Sequence, residues 1–170
     1  MFFWLLLICT AAGSLVLTGA FRRYALARSL MDIPNERSSH VVPTPRGGGL
    51  AIVFAVLAGL VALEVAGFLP ASFFWALLGA GAWVALIGWA DDQKDIPPGF
   101  RLAGHFIGAG WALFWLGGLP QLTMLGLDIN PGVTGYILAA LYLAWLLNLY
   151  NFMDGIDGIA GIEAITVCLG

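Results

Sequence analysis

Three polar segments gather the residues able to do chemistry. The most specific is NLYNFMDGIDG, Asn148 to Gly158. Asn148, Asn151 and Asp154 recur every three residues, which spreads them over only about 120° of one helix face. Amides and carboxylates are costly on an otherwise apolar helix, so their presence points to function. Gly155 and Gly158 end that helix and expose backbone around Asp157. The second segment is DDQKDIPPGFR, Asp91 to Arg101. On a continuing helix Asp91 and Asp92 point about 100° apart, whereas Asp92 and Asp95, at i and i+3, share a face. Such carboxylates suit a divalent metal or phosphate chemistry, because Mg²⁺ takes a few carboxylates together with substrate phosphates. A solvated helix end with Lys94 as local partner is the plainer reading. The third segment, MDIPNERSSH followed by PTPRGGG, packs Asp32, Glu36, Arg37, His40 and Arg46 into a short span. Arginines grip phosphates in bidentate fashion. A glycine triplet opening a helix lets backbone N–H groups approach an anion at the positive end of the helix dipole. The same glycines can serve close helix packing alone, and the arginines membrane topology alone.

The elements that must hold these segments follow from composition. The chain has 170 residues, 61% hydrophobic and 10% charged, with a net charge of −3 and mean hydropathy +0.93. A soluble domain is about 45–50% apolar and about 25% charged, so this is an integral membrane protein. A disordered chain, a nucleic-acid binder built on basic patches and a disulfide scaffold are excluded. Apolar runs span Phe2 to Phe21, Gly47 to Leu69, Ser72 to Ala90, Leu102 to Gly118 and Val133 to Met153, and a last one begins at Ile159. In lipid each run must satisfy its own backbone hydrogen bonds, so each is a helix. The expected fold is all-α: a polytopic helical bundle with five complete spans and the start of a sixth. The third run stops at Asp91, and Leu119 to Gly132 reads as a loop. Cys9 and Cys168 read as small buried hydrophobes. Trp75, Trp83, Trp89, Trp111 and Trp115 read as belt or lipid-facing residues. Gly104 and Gly108 form a small-xxx-small packing pair, and His105 reads as a packing histidine.

All seven Lys and Arg lie between runs one and two or between runs three and four. The loops at Pro70 and at 119–132 hold none, so the basic loops face the cytoplasm and the N-terminus lies outside. Loops 22–46, 91–101 and 154–158 then meet on one face. The segment Ile159 to Gly170 is about 18 Å long as a helix, too short for a core about 30 Å thick. The 170 residues are therefore expected to be one transmembrane domain forming the N-terminal portion of a longer protein.

Together, DIPNERSSH, PTPRGGG, WADDQKDIPP and NLYNFMDGIDGIAG resemble, in order, the motifs of the polyprenyl-phosphate N-acetylhexosamine-1-phosphate transferases of glycosyltransferase family 4. The first two look closest to the branch that starts O-antigen synthesis; the alternative is the phospho-MurNAc-pentapeptide transferase of peptidoglycan synthesis. The resemblance implies transfer of a sugar 1-phosphate from a UDP-N-acetylhexosamine to undecaprenyl phosphate, with release of UMP, at the inner face of a bacterial cytoplasmic membrane. It implies Mg²⁺, with Mn²⁺ as a substitute, membrane lipid as surroundings, no nucleic acid, and room for a homodimer. By position it assigns Asp91 and Asp92 as catalytic residues that orient or deprotonate the lipid phosphate, and Asn151 and Asp154 to the metal and diphosphate. Asp157 and Asn148 fall near the nucleotide, and Arg37, His40 and Arg46 in a substrate-contacting loop. The family's further metal-binding aspartate and histidine loop lie beyond Gly170, so this portion by itself is expected to be inactive. Three rivals stand beside it: an ion transporter, an intramembrane aspartyl protease and a non-catalytic assembly subunit. The first two want acids within the spans, whereas these sit at helix ends on one face.

Overall fold

A computed structural model describes residues 1–28, 31–32, 43–45, 48–94, 96–119, 122–124, 127–129, 132–153 and 158–169. Six helices carry the fold: α1 (Phe2–Ala27), α2 (Gly48–Val65), α3 (Ala71–Gln93), α4 (Pro98–Leu116), α5 (Gly132–Met153) and α6 (Ile159–Leu169). Two small antiparallel ladders accompany them. β1 (Met31–Asp32) pairs with β2 (Thr44–Pro45), and β3 (Leu122–Met124) with β4 (Leu127–Ile129). Consecutive helices pack together from α1 through α5.

Four helices, α1, α2, α3 and α5, are long and apolar enough to cross a membrane. α4 has 19 residues, about 28 Å, but carries Arg101 and His105 and falls short of the other four in hydropathy. Of the five expected spans, four thus meet both criteria and the fifth meets length alone. α6, with 11 residues, covers about 16 Å. Large apolar side chains point outward on every long helix, as at Phe114 (76% exposed) and Phe152 (77%). Buried positions are mostly small: Ala51, Ala55, Ala76, Gly104, Gly108, Ala109, Gly135, Ala139 and Ala144. This is a multi-pass membrane bundle, in which close backbone approach replaces a greasy core.

Several expectations change. α1 continues six residues past Phe21, so Arg22 and Arg23 lie on the helix. α3 runs on through Asp91 and Asp92 to Gln93, because charge alone does not stop a helix; the chain turns only before Pro97 and Pro98, which open α4. The stretch 119–132 contains the β3–β4 hairpin rather than plain loop. Cys9 and Cys168 are exposed rather than buried, since they sit on outward helix faces.

Trp83 and Trp111 are also more than belt residues. The Trp111 indole N–H of α4 donates to the Trp75 carbonyl of α3 at 2.8 Å, and Trp83 of α3 donates to the Gly104 carbonyl of α4 at 2.9 Å. Each indole lies over a glycine one turn beyond the carbonyl it reaches. A Cβ on Gly79 would collide with the Trp111 ring, and one on Gly108 would come within 3.4 Å of Trp83 Cδ1. Glycine is what opens each carbonyl to the facing helix. Gly79→Ala is expected to destabilise the bundle by about 1–3 kcal/mol through this clash, read as a lower melting temperature in detergent. The loss should shrink in a Trp111→Leu background, and an equal loss in both would show that the indole is not the obstacle.

Candidate functional site

One end of the bundle brings together the start of α2, the end of α3, the start of α4 and the end of α5. Between them lies a cavity of about 260 Å³ lined by Asp91, Asp92, Arg101, His105 and Asn151, with Gly49 at the first turn of α2. A larger hollow of about 560 Å³ between α1 and α2 is lined by apolar side chains plus Thr10 and Ser14 and holds no ionisable group. The smaller cavity is therefore the candidate site.

Asp91 is fully engaged. Its Oδ1 accepts the Ile96 backbone N–H at 3.0 Å, and its Oδ2 accepts Arg101 Nη1 at 2.9 Å. The carboxylate thus closes the turn between α3 and α4 while pairing with the first cation of α4. The pair is partly shielded, with side-chain exposures of 25% for Arg101 and 23% for Asp91. Arg101 Nε is buried and has no partner. Both charges oppose the helix dipoles, because carboxylates are disfavoured at the C-terminal end of α3 and a guanidinium in the opening turns of α4. Their mutual pairing offsets that cost.

One turn further along α4, His105 is 5% exposed. Its Nδ1 lies 3.0 Å from the Asn148 side-chain nitrogen, which also donates to the Ala144 carbonyl at 2.7 Å. Of the expected site residues, Asp91, Asp92 and Asn151 therefore meet in the cavity, and Asn148 faces His105 behind it. Arg37, His40, Arg46, Asp154 and Asp157 lie outside the described residues, as does Asp95. The glycine segment does open a helix, and β1 and β2 close the ends of the stretch carrying Arg37 and His40.

Arg101, expected only to mark topology, and His105, expected to be a packing histidine, both line the cavity. The signal was a stripe on α4: Arg101, Gly104, His105 and Gly108 stand at i, i+3, i+4 and i+7, one continuous face. Among the described residues no three potential ligands cluster as a complete metal site. Asp92 and Asn151 do offer hard oxygen donors, the kind Mg²⁺ accepts when substrate phosphates complete its shell.

Residues 74–170, more than half of the chain, match glycosyl transferase family 4. The chain belongs to this family. The family match takes in every cavity residue just named except Gly49. The chain is 33% identical over 106 residues to the decaprenyl-phosphate N-acetylglucosaminephosphotransferase of Mycobacterium leprae, covering 54% of this chain and 27% of that protein. It is 30% identical over 112 residues to the protein of the same name from Mycobacterium tuberculosis H37Rv, covering 58% and 28%. With that of Mycolicibacterium smegmatis it shares 29% over 149 residues, covering 80% and 36%. The chain thus spans about a quarter to a third of the length of these family members. No solved structure matches it.

Asp91→Ala is expected to orphan Arg101 and loosen the α3–α4 turn, at about 1–3 kcal/mol, measured by thermal unfolding in detergent. Adding Arg101→Ala should recover part of the loss by removing the unpaired charge. Strictly additive losses would show that the two side chains are not coupled.

Proposed function

We propose that the protein transfers N-acetylglucosamine 1-phosphate from UDP-N-acetylglucosamine to a polyprenyl phosphate and releases UMP. The observation that carries this reading is the cavity itself: two carboxylates, a guanidinium, an imidazole and an amide at one end of an apolar bundle. A lipid phosphate held at a membrane surface and a water-soluble nucleotide sugar can meet at such a place. The names of the related proteins supply the sugar and the lipid class. The resemblance of DIPNERSSH and PTPRGGG to the O-antigen-initiating branch favours undecaprenyl phosphate as the carrier and the start of O-antigen or another envelope polysaccharide as the pathway.

In the reaction, a phosphate oxygen of the lipid forms a bond to the sugar-linked phosphorus. The bond from that phosphorus to the bridging oxygen breaks, and UMP leaves with the electron pair. A phosphate monoester has its second pKa near 6, so the nucleophile is mostly ionised at neutral pH and needs no strong base. Positioning and charge neutralisation carry most of such a transfer. Mg²⁺, when bound, would neutralise diphosphate charge, and Asp92, Asn151 and Asp154 are the residues proposed to hold it. Asp91 holds Arg101 at the cavity wall, and Arg101 offers guanidinium N–H groups to a phosphate oxygen. The first turn of α2, at Gly49, adds backbone N–H groups at a positive helix end. Asp157, Arg37, His40 and Arg46 are proposed to contact the nucleotide sugar.

Two measurements test this. Membranes carrying the protein expressed from its own gene should convert undecaprenyl phosphate, Mg²⁺ and UDP-N-acetylglucosamine into lipid-diphosphate-sugar and UMP by mass spectrometry. Chelation with EDTA should abolish the product, and Asp92→Asn should lower it by on the order of 100-fold. Product unaffected by Asp92→Asn would remove that residue from the site, and absence of product from every UDP-N-acetylhexosamine would sink the transferase reading. Orientation is separate. The seven-to-zero distribution of basic residues favours a cavity at the cytoplasmic end of the bundle and an N-terminus outside. In a Cys9→Ser, Cys168→Ser background, Leu119→Cys should react with an impermeant maleimide in intact cells and Lys94→Cys only after lysis. The opposite pattern would invert the topology.

A further inference from the structure

We propose that Asn148 is a positioning residue that locks the His105 imidazole as an Nε2–H donor for a phosphate oxygen in the cavity. The acceptor rests on the transferase reading above; the lock does not.

The argument starts from one nitrogen with two bonds. Asn148 Nδ2 lies 2.7 Å from the Ala144 carbonyl oxygen, one turn back on α5, and 3.0 Å from His105 Nδ1 on α4. A backbone carbonyl can only accept, so the amide atom facing Ala144 is the NH₂ nitrogen. The second N–H of that same nitrogen is the one that meets His105. His105 Nδ1 must therefore present a lone pair, and the ring of a neutral imidazole then carries its proton on Nε2. The ring is 5% exposed and helps line the cavity.

The consequence is chemical. The charged neighbours of His105 at the cavity are Asp91, Asp92 and Arg101, and Asp91 is already spent on Ile96 and Arg101. A phosphate oxygen drawn in by the guanidinium would meet an N–H from the histidine. In the opposite tautomer it would meet a lone pair and be repelled. Asn148 thus acts on the ligand through His105, without lining the cavity.

The test reads the tautomer directly. ¹⁵N-histidine-labelled protein in phosphatidylglycerol nanodiscs, alongside a His105→Asn variant whose missing signals identify the ring, assigns His105 by NMR. Protonated and unprotonated ring nitrogens resonate in well-separated ranges. The expected wild-type spectrum has Nε2 protonated and Nδ1 bare; an Nδ1-protonated ring overturns the lock. Asn148→Asp replaces the donor with a group that only accepts, and should move the proton to Nδ1. Asn148→Ala should yield a mixture of tautomers. Either variant keeping the wild-type tautomer overturns the role of Asn148. Adding UDP-N-acetylglucosamine and Mg²⁺ should shift the Nε2 signal. Nucleotide sugar that binds by equilibrium dialysis yet leaves Nε2 unmoved overturns the donor role. If none binds, the transferase reading and its phosphate acceptor fall, while the wild-type spectrum still decides the lock.

Discussion

The close approach of α3 and α4 underlies the rest of the structure. Two backbone carbonyls, at Trp75 and Gly104, accept an indole N–H from the facing helix, and each is reached across a glycine. In lipid there is no hydrophobic drive between helices, so close packing and interhelical hydrogen bonds must hold them. Trp83 and Trp111 supply both, from opposite helices. The pairing sets α4 against the last turns of α3, which puts Arg101 within reach of Asp91 and turns His105 toward the cavity.

The cavity end of the bundle tolerates arrangements that isolated helices would resist. Acids end α3 and a cation opens α4, each against its own helix dipole. α4 falls short of the other long helices in hydropathy and packs against α3 and α5. Local preference and global arrangement conflict here, and such conflicts collect at functional sites. Asp91 resolves the conflict by binding the turn and the guanidinium together.

Much of this was legible in the residues. Period and length located the helices because apolar runs in lipid have few alternatives. Asp91, Asp92 and Asn151 stood out because polar groups at the ends of apolar runs are costly, and they do converge. α3 outlasts its apolar run because a change from apolar to charged residues marks the membrane surface, not the end of a helix. An indole signals an interface equally well from the lipid side or the helix side, so Trp83 and Trp111 look like belt residues until α3 and α4 are packed. Taken singly, Arg101 reads as a topology marker and His105 as packing; only with Gly104 and Gly108 do they form one face.

By itself the sequence determined that this is a multi-pass helical membrane protein with its polar segments at helix ends. Those properties depend on hydropathy and spacing, which are local. Tertiary structure alone decided which polar residues share a cavity, that Asp91 belongs to Arg101, and that Asn148 meets His105 rather than lining the cavity. These are contacts between residues 10 and 43 positions apart. They depend on how closely and at what rotation helices pack, and that is set by the glycine faces of both partners at once.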